Sequence, residues 1–143
     1  MIQRKQSLWL LVAALLNAGV FFFDLYHTHN LVNGVDTIGA PLRIGDHYPS
    51  LLLALVMTAL PLVTIFMYKK RKQQLAMSFV SVLAIIAFIS MTLTRVGSIT
   101  PPPASGSYWV GAVLPVMATL FLFIAMLGIR KDDKLVKSMD RLR

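Results

Sequence analysis

Four uncharged apolar runs dominate the pattern of hydrophobic and polar positions along this chain. Each run approaches or reaches the roughly 20 residues that an α-helix needs to cross the hydrocarbon core of a bilayer. The runs are apolar on every face, which favours helices over the alternating strands of a membrane barrel. The sequence therefore predicts an all-α membrane protein, one domain over residues 1–143, built as an antiparallel four-transmembrane-helix bundle. The predicted helices are residues 7–26, 50–68, 75–94 and 108–129, followed by a tail at 130–143.

The composition agrees with a membrane protein and removes several kinds of chemistry. Hydrophobic residues make up 57% of the chain and charged residues only 14%, whereas charged residues make up about a quarter of an ordinary soluble domain. The chain has no cysteine. Disulfides, thiolate catalysis and cysteine-ligated metals are therefore excluded.

The basic residues predict the orientation in the membrane. Only Arg43 and Arg95 lie in the first and third connections, and the rest of the 14 Lys and Arg residues fall at the termini or in the cluster of Lys69, Lys70, Arg71 and Lys72. Short cytoplasmic segments are enriched in Lys and Arg. We therefore expect both termini and this cluster to be cytoplasmic, with membrane lipid headgroups as partners of the cluster. No nucleic acid is expected, because the cluster lacks base-stacking aromatics.

The two connections on the other side carry local structural signals. Asn33 and Gly34 lie between β-branched residues, a pattern that favours a tight hairpin. The other connection contains Pro101, Pro102 and Pro103, which favour an extended polyproline segment that we expect to lie against the first connection.

The tail after the fourth span predicts a short cytoplasmic amphipathic helix. Leu135, Met139 and Leu142 recur at i, i+4 and i+7 and form one apolar stripe. Such a stripe suits either the inner face of the bilayer or a partner protein. The sequence leaves both possibilities open.

The two ends of the chain also resemble a known family. The beginning MIQRKQSLWLLVAALLNAG and the ending IRKDDKLVKSMDRLR are similar to the ends of an uncharacterised family of small bacterial membrane proteins with four predicted helices, a domain of unknown function. Lys5 departs from this pattern, since relatives are expected to carry an apolar residue there. The resemblance implies a bacterial inner membrane and brings no catalytic residues.

Polar residues inside the spans predict packing rather than chemistry. No ionisable residue lies in the middle of a span, although proton relays and ion pathways need such residues. Asn17 is predicted to hydrogen-bond to another helix. Pro61 and Pro115 are predicted to kink their helices. Paired broken helices of this kind also occur at transporter sites. The hydroxyl partners expected for Asn17 are Thr58, Thr64, Ser81, Ser90 or Thr119.

One group of residues resembles a metal site. Asp24, His27 and His29 lie at the end of the first span, and Asp46 and His47 lie just before the second. Imidazole and carboxylate groups at similar depth suit a divalent metal. These polar residues also lie outside the hydrocarbon region, where they need no special role, and we expect no cofactor.

These observations favour a non-enzymatic function. The leading interpretation is an accessory, stabilising or assembly subunit of a larger cell-envelope complex, which binds another membrane protein or a protein at the cytoplasmic face. The alternatives are a membrane enzyme or metal binder that uses the histidine and aspartate group, and a small transporter or channel subunit.

Overall fold

The computed structural model describes residues 3–32, 35–68, 70–99 and 105–140, and within these ranges the chain is mostly helical with one small sheet. The elements, in chain order, are α1 (Gln3–Gly19), β1 (Tyr26–Val32), β2 (Val35–Leu42), a short 3-10 helix (Ile44–Asp46), α2 (Tyr48–Phe66), α3 (Arg71–Gly97), β3 (Ser105–Tyr108) and α4 (Val110–Asp140).

Three of these helices are long and apolar enough to cross a membrane. They are α2, α3 and the part of α4 from Val110 to Val136. The apolar part of α1 is shorter and covers only Gln6–Gly19. The prediction of membrane-spanning helices is therefore confirmed for three of the four spans.

The prediction of the first span, residues 7–26, is wrong for its last seven residues, which are not helical. The helix ends at Gly19, and the backbone then turns, with Phe22 N–H donating to Gly19 O over 3.0 Å. Leu25 N–H donates to Leu42 O over 3.0 Å, and Tyr26 already belongs to β1. An apolar run predicts burial in lipid or protein but does not distinguish a helix from a turn held by sheet pairing.

Two later helices, α3 and α4, are longer than predicted, whereas α2 ends two residues before its predicted end at residue 68. α3 begins at Arg71 rather than at residue 75, so part of the basic cluster forms its first turn. α4 continues without interruption to Asp140. The predicted tail helix is therefore not a separate element, because no Gly or Pro after Gly128 breaks the helix.

The all-α prediction missed a three-stranded antiparallel sheet with the strand order β2-β1-β3. Val32 pairs with Val35, as the predicted hairpin requires, and Asn33 and Gly34 themselves lie outside the described residues. Two β2 residues oppose Thr28 where the register shifts between His27 and His29, which is a β-bulge. β3 pairs with β1, which confirms the expected contact between the two connections. The predicted polyproline segment lies outside the described residues.

The four helices pack around a shared apolar core. α1 contacts α2 and α4, and α3 contacts the same two helices. The largest buried side chains include Leu10, Leu25, Met57, Ile85, Phe88 and Leu122. Many large apolar side chains point away from this core and are exposed, among them Leu52, Phe79, Leu120 and Phe123, as a lipid-facing surface requires.

Small residues bring α1 and α4 close together. A Cβ atom added to Gly19 would lie 2.7 Å from Leu114 Cδ1, and one added to Gly128 would lie 3.1 Å from Gln6 Cγ. Glycines at such positions let helix backbones approach closely inside a membrane.

Candidate functional site

A charged group forms at the end of the molecule that carries the sheet. We call Asp24, His27, Arg43, Asp46 and Trp109 the sheet-end cluster. Arg43 Nε donates a hydrogen bond to Asp24 Oδ1 over 2.7 Å, and Arg43 N–H donates to Asp46 Oδ2 over 3.1 Å. The hydrogen bond to Asp24, with the attraction of its charge, raises the pKa of Arg43. The guanidinium therefore stays charged at physiological pH.

His27 lies beside this ion pair. Its Nε2 is 3.3 Å from Asp24 Oδ2, which is an ion-pair distance when the ring is protonated. The two groups are not aligned as a hydrogen bond, so Nε2 is buried without such a partner. The ring also packs at 4.9 Å, centroid to centroid, against Trp109 at the start of α4.

The other two histidines have separate local roles. His29 Nε2 lies 3.3 Å from Ser107 Oγ and so connects β1 to β3. His47 is the N-cap of α2, and its Nδ1 accepts from Ser50 N–H over 3.3 Å. Within the described residues, no three His, Asp or Glu side chains form a group that could hold a metal ion. The structure thus divides the candidate metal group among an ion pair, a strand contact and a helix cap.

A cavity of about 450 Å³ opens beside the ion pair. The turn Phe21–Phe23 forms its apolar side, and Asp24, Arg43 and Asp46 form its polar side. Arg43 contacts both Asp24 and Asp46. These contacts hold the turn after α1 against the end of β2.

Inside the helices, Asn17 hydrogen-bonds to another helix, as expected, but to a different kind of partner. Its side chain is fully buried, and Nδ2 donates to the backbone carbonyl of Met57 over 2.9 Å. That carbonyl would normally accept from the N–H of residue 61, and Pro61 has none. Asn17 therefore supplies the donor that the proline removes from α2.

Four of the five hydroxyl side chains predicted as partners of Asn17, all except Ser90, hydrogen-bond within their own helix instead. Thr58, Thr64 and Thr119 each donate to the carbonyl four residues earlier in the same helix, and Ser81 does the same. Such bonds satisfy a hydroxyl within its own helix.

The second proline, Pro115, lies one turn after a close backbone contact. Gly111 N–H donates to Asp24 O over 3.1 Å. A Cβ atom added to Gly111 would lie 2.6 Å from the same oxygen. The first turn of α4 therefore requires glycine to lie against the turn after α1.

The opposite end of the molecule, which we call the basic end, carries Lys70, Arg71 and Lys72 at the start of α3. Arg71 Nη1 donates to Asp132 O on α4 over 3.0 Å. Leu135 on the predicted tail stripe is 44% exposed. Met139 lies on α4, its side chain is not described, and both Lys69 and Leu142 lie outside the described residues.

Sequence reasoning missed the contacts of the two arginines at the sheet end. Arg43 pairs with Asp24, and Arg95 Nη1 donates to Arg43 O over a long 3.4 Å. A signal was present, because Arg43 and Arg95 are the two basic residues that the charge asymmetry sets apart from all others.

Three apolar helices of membrane-spanning length in a chain of 143 residues indicate a small membrane protein. The chain belongs to the family described as a domain of unknown function (DUF4293), whose model matches residues 2–142. No curated protein matches the chain, and no solved structure does.

Proposed function

We propose that this protein is a non-enzymatic accessory or assembly subunit of a larger complex in a bacterial inner membrane. In this proposal both termini are cytoplasmic and the sheet faces the other side. The excess of Lys and Arg at the basic end supports this orientation. α1 provides the fourth crossing together with the apolar turn at residues 20–23, which lengthens its hydrophobic run.

The observation that carries this proposal is the open edge of β2. The strand order β2-β1-β3 makes β2 an edge strand, and no second strand pairs with it within the described residues. Ile38 on this strand is 70% exposed. An open edge strand offers a row of backbone donors and acceptors to another chain.

The sequence of β2 suits a short added strand. Thr37, Gly39 and Ala40 flank Ile38 without a charge, whereas protected edges commonly carry charged residues. Pro41 has no N–H and limits the pairing toward the end of the strand. We therefore place the contact around Ile38, whose exposed side chain is its apolar anchor.

Site-specific photo-crosslinking tests this contact. One variant carries a photoreactive amino acid in place of Ile38, and a second variant carries it in place of Leu135 on the tail. Each variant is crosslinked in the native membrane. We expect a discrete adduct with another protein from position 38. Ile38→Lys should abolish co-purification of that protein in mild detergent, while Ile38→Val should preserve it.

Three outcomes would contradict the proposal. An adduct of twice the monomer mass would indicate self-association through β2. Crosslinking from Leu135 alone would move the contact to the tail. Equal co-purification with Ile38→Lys and Ile38→Val would show that the edge strand does not bind the partner.

A further inference from the structure

Two neighbouring cavities lie at the basic end, between the start of α3 and the last turns of α4. Their volumes are about 590 and 200 Å³, and Arg71, Lys72 and Asp133 line both. We call them together the basic cleft. Among the described residues, Asp133 contributes one carboxylate to the lining of the cleft, and five basic side chains line it: Lys70, Arg71, Lys72, Arg130 and Lys134. The cleft is therefore suited to an anion.

The two walls of the cleft are held at a fixed separation. Arg71 is half-buried, and its Nη1 donates to Asp132 O over 3.0 Å. Arg130 and Lys134 are one helical turn apart and so lie on one face of α4. Their side chains are exposed, so they keep full access to a ligand.

The position of the cleft, at the ends of the apolar helices, indicates the kind of anion that it binds. It begins just beyond Phe66, where the apolar helix α2 ends. Leu75 and Ile129 line the smaller cavity together with the basic residues. A site with cationic walls and an apolar floor, at the end of membrane-spanning helices, matches an amphiphile better than a free anion.

We propose that the basic cleft binds the phosphate headgroup of an anionic phospholipid. The phosphate lies between the first turn of α3 and the Arg130–Lys134 face of α4, and an acyl chain extends along Leu75 and Ile129. The site thus requires the extension of α4 as well as the basic cluster of α3. It is independent of the sheet edge proposed above to bind a protein partner.

Lipid titration of the purified protein tests this site. The protein in neutral detergent is titrated with phosphatidylglycerol and, separately, with phosphatidylcholine of the same chains, and bound lipid is counted by native mass spectrometry. We expect preferential binding of phosphatidylglycerol. Lys134→Gln and Arg130→Gln should each weaken it about fivefold, since one basic residue near a membrane surface contributes about that factor.

Lys131→Gln is the matched control. Lys131 is exposed on the same helix and does not line either cavity, so its removal should weaken binding less than about twofold. Far-UV circular dichroism of each variant verifies that the helices are intact.

Three results would overturn the proposal. If Lys131→Gln weakened binding as much as Lys134→Gln, the attraction would come from the general charge of this end. If phosphatidylcholine bound as tightly as phosphatidylglycerol, the negative charge of the lipid headgroup would not contribute to binding. If inorganic phosphate displaced the lipid completely, the cleft would be a site for a free anion.

Discussion

Replacement of Asn17 tests the link between α1 and the proline of α2. The side chain donates to Met57 O, the carbonyl that Pro61 leaves without its helical donor. Asn17→Ala removes that donor and leaves the carbonyl unpaired inside the protein. In the Pro61→Ala background, the new backbone N–H satisfies the same carbonyl, and the loss of Asn17 should matter much less.

The expected magnitude follows from the two ends of this hydrogen bond. Side-chain hydrogen bonds between membrane helices contribute about 0.6 kcal/mol on average and up to about 1.7 kcal/mol. A buried carbonyl left unpaired costs about 1–3 kcal/mol. Asn17 Oδ1 is buried without a hydrogen-bond partner, so its removal offsets part of the loss. We expect Asn17→Ala to lower the free energy of unfolding by about 1–2 kcal/mol, and by less than half of that in the Pro61→Ala background.

Unfolding by SDS in mixed micelles provides the measurement. Trp9 stacks on Phe121 of α4, with ring centroids 5.6 Å apart. With Trp109 replaced by Phe in every variant, tryptophan fluorescence comes from Trp9 and reports the separation of α1 from α4. The packing lost with the Asn17 side chain is common to both backgrounds and cancels in the double-mutant cycle. Pro115→Ala is the matched control background, because the carbonyl that Pro115 frees belongs to another residue.

The double-mutant cycle has one expected pattern of free energies of unfolding. Asn17→Ala should cost the same in the wild-type and Pro115→Ala backgrounds and clearly less in the Pro61→Ala background. A coupling between Asn17 and Pro61 below about 0.5 kcal/mol, the usual limit of additivity, would refute the assigned role of Asn17.

Three further predictions use the same purified protein or whole cells. Gly111→Ala places a methyl group 2.6 Å from a backbone oxygen and should destabilise the protein by about 1–3 kcal/mol in SDS unfolding. Gly97→Ala meets nothing within 4 Å and should change the stability by less than about 0.5 kcal/mol. Equal effects of the two substitutions would contradict the close contact at Gly111. His47→Ala removes the cap of α2 and should cost about 0.5–2 kcal/mol, while His47→Asn should retain most of the stability; equal losses would argue against capping. In intact cells, a membrane-impermeant thiol reagent should label a cysteine at Ser105 and spare one at Gln73, and the reverse would invert the proposed orientation.

The membrane class could be predicted because it depends on apolar length alone. Runs of about 20 uncharged residues have few other stable environments, and α2, α3 and α4 meet this criterion. The end of α1 could not be predicted in the same way. Phe21–Phe23 continue the apolar run, but the backbone there follows the pairing of Tyr26 with Leu42 and Tyr108, which depends on residues far away in the sequence.

The individual contacts show a similar division. Asn17 and Pro61 were both recognised, but their connection requires knowing which faces of α1 and α2 meet. The chemistry of Asn17 predicts a hydroxyl partner, whereas the actual acceptor is the backbone carbonyl of Met57, and every residue carries such a carbonyl. The bond from Arg71 to Asp132 O could not be predicted for the same reason.

The pairing of β1 with β3 has a consequence for how the chain matures. The hydrogen-bonded partners His29 and Ser107 are 78 residues apart, so this contact cannot form until α2, α3 and β3 have all been synthesised. Until then β1 and β2 form only a two-stranded hairpin, which has marginal stability in water by itself. One edge of β1 therefore has no strand to pair with until β3 has been synthesised, and the pairing of β3 completes the sheet.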